Sequence, residues 1–226
     1  MKDIKILSSG VKQRVDAAIE RAFECYVYKV AHGYYEPTVE IPMQLFVMKM
    51  IEEQLNETTI LKNEKFIIDL ERNIPLDTKR DEVDGIIDYY KDGQLKEEYL
   101  IEFKYKKEKD GGPNSCNIDA YVDVYELERQ LKTNKYVKGC YFIFMTDDEK
   151  YTVPGSKASA NRMVFPLHDT YVIETRTYEA QTPAAEEQLS KSGYSSLTFA
   201  KPHKIEYSRF KTTAGKDYWY LILKIK

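Results

Sequence analysis

The stretch DEVDGIIDYYKDGQLKEEYLIEFKYK, residues 81–106, carries charged side chains inside two apolar runs. Charged groups within strands need a reason, because burying them unpaired is costly. In LIEFKYK the two-residue period of a strand puts Glu102 and Lys104 on one face and Ile101 and Phe103 on the other. Asp84 opens the apolar run of the preceding segment, across an Asp92-Gly93 turn. Two carboxylates on adjacent strands can hold a hard divalent cation such as magnesium, with water and phosphate oxygens filling the other positions. A lysine two residues from the second carboxylate can orient an attacking water and stabilise charge developing on phosphorus. Phosphodiester hydrolysis needs those parts. The plainer reading of the same residues is a solvent-facing charge ladder.

The chemistry requires Asp84 and Glu102 to share a face, as directly opposed residues of an antiparallel pair do. A two-residue Asp92-Gly93 loop pairs 91 with 94 and therefore 84 with 101, which puts Asp84 on the wrong face. An odd-length loop or a bulge between Asp84 and Glu102 pairs 84 with 102 instead, and one of the two is predicted.

These strands need supports. Val11, Val15, Ala18, Ile19, Ala22, Tyr26 and Val30 recur at helical spacing, and Gly33 stops that helix. Pro42 fits the first turn of a second helix over 43–57, with Glu52 and Glu53 on its polar edge. KFIIDLER, EVDGIIDYY and EEYLIEFKY read as three strands, NIDAYVDVYELERQLK as a helix, and KGCYFIFMTDD as a strand buried on both faces. The last third is less regular. YTVPGSKASANR reads as a loop, TYVIETRTY as a strand, and QTPAAEEQLSKSGYSS as a loop or short helix. HKIEYSRFKTTAGKDYWYLILKIK reads as a hairpin around Ala214-Gly215.

The 226 residues, 42% hydrophobic and 31% charged, suit one globular domain over 1–226. No apolar run approaches the roughly 18 residues that span a bilayer, so no membrane association is expected. MKDIKILSSG lacks the apolar core of a signal peptide. Cys25, Cys116 and Cys140 are scattered, without CxxC spacing, which fits a reducing, cytoplasmic setting. A net charge of −3 neither demands nor forbids a nucleic-acid partner.

Asp84, followed after a hairpin by Glu102-Phe103-Lys104, resembles the D…(D/E)xK signature of the restriction-endonuclease-like nuclease superfamily. The element order around it is similar to that superfamily's core, over about residues 43–147, with 148–226 as a strand and loop extension where members usually carry specificity. The resemblance implies an α/β (α+β) fold, a central mixed sheet flanked by helices with additional C-terminal strands. It also implies Mg2+ (or Mn2+) bound by Asp84 and Glu102, with Lys104 assisting catalysis. Some members add a glutamate from the preceding helix, and Glu52 or Glu53 can match it. One departure is Val83, where the family often has proline. The expected function is a restriction-type endonuclease cutting double-stranded DNA as a homodimer. The alternatives are a non-catalytic nucleic-acid-binding or assembly protein on the same fold, and a repair or junction nuclease.

Other residues carry weaker signals. His32, His168 and His203 are isolated and lack ligand spacing. VPGSKAS lacks the phosphate-loop pattern, though Lys157 and Arg162 can touch phosphates if that loop borders the cleft. The basic run KYKKEK lies next to the Glu102–Lys104 strand.

Overall fold

The computed structural model describes residues 10–76, 79–110, 113–155 and 160–226. Helix α1 (Val11–Ala31) buries Val15, Ala18, Ile19, Ala22, Phe23, Tyr26 and Val30. It ends before Gly33, whose φ of 72° is the left-handed conformation that favours glycine after a helix. Helix α2 (Glu40–Thr58) begins three residues before the expected 43. Strands β1 (Glu64–Leu76), β2 (Lys79–Lys91) and β3 (Gln94–Lys106) follow as a meander, then helix α3 (Pro113–Thr133) and strand β4 (Val137–Thr146).

The C-terminal elements are short. They are α4 (Ala160–Val164), β5 (Val172–Ile173), β6 (Thr177–Glu179), α5 (Pro183–Lys191), β7 (Ser196–Thr198), β8 (His203–Lys204) and β9 (Ser208–Lys211), closed by the longer β10 (Asp217–Ile225). The chain is thus a mixed α/β protein with a central, mostly antiparallel sheet in the order β1-β2-β3-β4-β10-β9. Among the described residues, only β3 and β4 run parallel, joined through α3. The β9–β10 hairpin is the one expected around Ala214-Gly215. TYVIETRTY, expected as one strand, is split into β5 and β6, which pair with β8 and β7 in separate two-stranded sheets. The split is local: Arg176 donates its amide to Glu174 O at 2.8 Å, and the Glu174 amide meets the Tyr178 hydroxyl at 2.8 Å.

Two buried clusters cover the sheet. One packs α1 and α2 against Ile87, Tyr99, Ile101, Phe103, Tyr105 and Ile143. The other packs α3 and the C-terminal elements against Ile86, Leu100, Cys140, Phe142 and Phe144. The alternation in β3 therefore divides its side chains between two helical layers, and Glu102 and Lys104 face the α3 layer.

The β2–β3 hairpin shows how the register is set. Asp92 and Gly93 both have positive φ, 54° and 74°, as a two-residue turn matched to strand twist requires. Lys91 pairs with Gln94 and Tyr90 with Leu95, but Tyr89 pairs with Glu97. Lys96 is the extra residue of a bulge. From there the register runs to Gly85 opposite Ile101, which brings Asp84 opposite Glu102. The irregularity demanded by the sequence argument is this bulge.

Candidate active site

The β2–β3 ladder ends at Gly85 and Ile101, while β3 continues beside β4 as far as Lys106 opposite Thr146. Beyond Ile101 the outer edge of β3 has lost its strand partner, and its amides need other acceptors. Two acidic side chains supply them. Asp84 Oδ2 accepts the Phe103 amide proton at 2.8 Å, and Glu40 Oε2 accepts that of Tyr105 at 2.7 Å. Both carboxylates are thereby fixed at the place where the sheet opens.

The even-numbered side chains of β3 meet α3 there. Lys104 Nζ lies 3.0 Å from Asp123 Oδ2, with side-chain exposures of 18% and 17%. That oxygen makes no aligned hydrogen bond, so the contact is an ion pair of close charges. Burial pushes Glu102 well above the usual carboxylate range, and the charges of Asp123 and Asp84 push the same way against Lys104. Asp123 is also raised by burial, with Lys104 opposing. Glu40 is raised by burial, and the charge of Asp84 adds to the shift while Lys104 opposes it. The Lys104 ammonium is held more firmly charged than usual, first by Asp123 and then by Glu40 and Glu102. Four carboxyl groups thus gather around Lys104, with Lys106 also acting on Glu40.

Among the described residues, no group of three or more His, Cys, Asp or Glu side chains is placed to hold a metal ion. Asp84 and Glu102 are a pair of carboxylate donors that could hold a hard cation only if water or phosphate oxygens filled its remaining positions. Asp84, Glu102 and Lys104 are thus brought together. Glu52 and Glu53 are not: both are exposed, on a helix whose buried face packs with Ile101 and Phe103 on the opposite side of the sheet. The helix-borne carboxylate at this site is Glu40. It was missed because the expected helix began at 43, although a proline anywhere in the first turn forfeits no intrahelical hydrogen bond. Asp123 was missed as well; its signal was the i, i+4 pair Asp119 and Asp123 in an otherwise apolar stretch of α3.

The remaining candidates lie elsewhere. Arg162 is buried and donates through Nη2 to Val153 O at 2.7 Å and to Lys150 O, so it ties a loop and is not free for phosphate. Lys157 falls outside the described residues. His203 is buried against Glu128 at 2.6 Å, and His32 stacks on Tyr28. A cavity of about 550 Å³ opens between His203 and Leu223 and includes none of the site residues.

No family model, no curated protein and no solved structure matches this chain. No helix among the described residues is long and apolar enough to cross a membrane.

Proposed function

We propose that the chain is a magnesium-dependent endonuclease that hydrolyses phosphodiester bonds of double-stranded DNA. In this reading it is a restriction-type enzyme on a restriction-endonuclease-like fold, working in the cytoplasm as a homodimer. The observation that carries the reading is the bulge at Lys96, which sets Asp84 opposite Glu102, on the face that also carries Lys104. The same register also buries Tyr89 with Tyr99 and sets Asp88 opposite Glu98, both bridged by Arg72, so it serves the core as well as a two-carboxylate site.

Asp84 and Glu102 are the residues to hold Mg2+ (or Mn2+), which when bound supplies Lewis-acid polarisation of phosphate and water. Lys104 presents its ammonium beside them, where it can orient water and stabilise the extra negative charge on the phosphoryl oxygens. Glu40 fixes the β3 edge next to Lys104. Two strands cut with one site per chain call for a symmetric pair of chains.

A second reading, a non-catalytic nucleic-acid-binding or assembly protein, draws on the same contacts. Asp84 and Glu40 already serve as amide acceptors, and Lys104 already has a counter-ion. Digestion of genome-sized DNA with magnesium, followed by sequencing of the fragment ends, separates the two. Defined ends support the restriction-type reading. DNA that is bound but left whole supports the second.

A further inference from the structure

From the Lys104–Asp123 contact we infer that Asp123 is a positioning residue, which holds the Lys104 ammonium in its working place beside Asp84 and Glu102. The inference rests on the nuclease reading for what the ammonium is placed to do. A lysine side chain has four rotatable bonds and, left alone, spreads its charge over a wide arc. Here it emerges from β3 toward α3 and meets a carboxylate at 3.0 Å, with about four-fifths of both side chains out of water.

The two residues come from rigid elements that the fold locks together. Lys104 is paired in the parallel ladder opposite Phe144, and Asp123 lies between the buried Val122 and Val124 on α3. Asp119, one turn earlier, is engaged by Gln188 at 2.5 Å, which leaves Asp123 as the helix carboxylate paired with the lysine. A charge fixed in this way needs no reorganisation when substrate arrives. Removing the carboxylate frees the ammonium to swing, and a displacement of about 1 Å at a reacting centre can cost roughly a hundredfold in rate.

The test uses the full chain with Asp123→Asn and Asp123→Glu, and it has two readouts. The first is acylation of the Lys104 amine by a small amine-reactive reagent, resolved by mass spectrometry and independent of any nuclease activity. Asp123→Asn is expected to label about tenfold faster at Lys104, and Asp123→Glu to stay near the parent. The second is cleavage kinetics: Asp123→Asn is expected to lower kcat by about tenfold or more with KM for DNA little changed, and Asp123→Glu to recover much of it. Equal Lys104 labelling in parent and Asp123→Asn overturns the inference whatever the cleavage data show. So does a loss confined to KM. Should Asp123→Asn not fold, Asp123→Glu decides: slow labelling upholds positioning, and labelling as fast as at the exposed Lys96 overturns it. A parent that cuts no DNA yet shows the labelling difference sinks the nuclease reading and leaves the lysine's anchor in place.

Discussion

Asp84 accepts the Phe103 amide proton at 2.8 Å, one step beyond the last rung that joins β2 to β3. A side chain has taken over the duty of a strand. An open strand edge exposes a row of unpaired polar groups, and here acidic side chains from β2 and from α2 close it. The arrangement gathers negative charge at the same point where Lys104 and Asp123 meet across the α3 layer.

The bulge is a matter of residue count, not of lysine chemistry. Lys96 is exposed, so Lys96→Ala should change stability by no more than about 0.5 kcal/mol. Deleting Lys96 alone only removes the bulge, since Leu95 and Glu97 then pair with Tyr90 and Tyr89 in regular succession. Deleting Lys96 and Glu97 together turns every later residue of β3 to the other face, and should cost about 3 kcal/mol or more, read as a fall in the urea midpoint. A double-deletion variant as stable as the parent would show that the register is not fixed in this way.

On a solvent-facing charge ladder, truncation of Lys104 would do little to folding. Its pairing with Asp123 changes that expectation, since Lys104→Ala leaves a largely buried carboxylate without its partner. The loss should be about 1–3 kcal/mol at neutral pH, less than for a fully buried pair because both groups keep some water. The double variant Lys104→Ala/Asp123→Asn should regain most of it. Urea unfolding of the two variants checks this, and equal instability in both would count against the pair.

How much of this was legible beforehand depends on which residue is asked about. Asp84, Glu102 and Lys104 stood out because a two-residue period and a hairpin turn fix faces from sequence alone. Parity also required an irregularity between the strands. It could not place it at Lys96, because that choice depends on keeping Tyr89 and Tyr99 both buried against the α1 and α2 layer. Glu40 was hidden because its helix start is anchored by tertiary contacts, including the Tyr105 hydroxyl on Pro37 O at 3.3 Å. Asp123 was hidden because an acid on a helix reads as solvent-facing until the strand beneath the helix is known.

Glu102 should make stability depend on pH. Its folded pKa lies above the ordinary 4.5, so the folded chain holds a proton that the unfolded chain has released. That contribution is complete below about 4.5 and is lost as pH rises through the folded value. Glu102→Gln should therefore stabilise the protein at neutral pH, by about 0.5–2 kcal/mol, and flatten the profile. Magnesium should stabilise the parent by mass action and the variant much less. Thermal unfolding between pH 4 and 8, with and without magnesium, reads all three effects; a flat profile in the parent would argue against the raised carboxyl.

The helix glutamates can be compared directly. Glu52→Gln and Glu53→Gln, being exposed on the far layer, should leave both cleavage and stability unchanged within about 0.5 kcal/mol. Glu40→Ala deprives the Tyr105 amide of its acceptor and should cost about 1–3 kcal/mol, with slower cleavage. Cleavage assays and urea midpoints of the three variants decide it, and a strong cleavage defect in Glu52→Gln or Glu53→Gln would reverse the assignment.

The most direct test of the site is magnesium-dependent nicking of supercoiled plasmid by the parent and by Asp84→Asn. The asparagine oxygen can still accept the Phe103 amide proton, so the fold of the edge is kept while the charge is removed. The expected result is cutting by the parent only when magnesium or manganese is present, and a fall of at least about a hundredfold in Asp84→Asn with DNA binding retained. A parent that leaves the plasmid intact with either ion, or an Asp84→Asn protein that cuts at the parent's rate, would contradict the assignment of Asp84, Glu102 and Lys104 as a nuclease site.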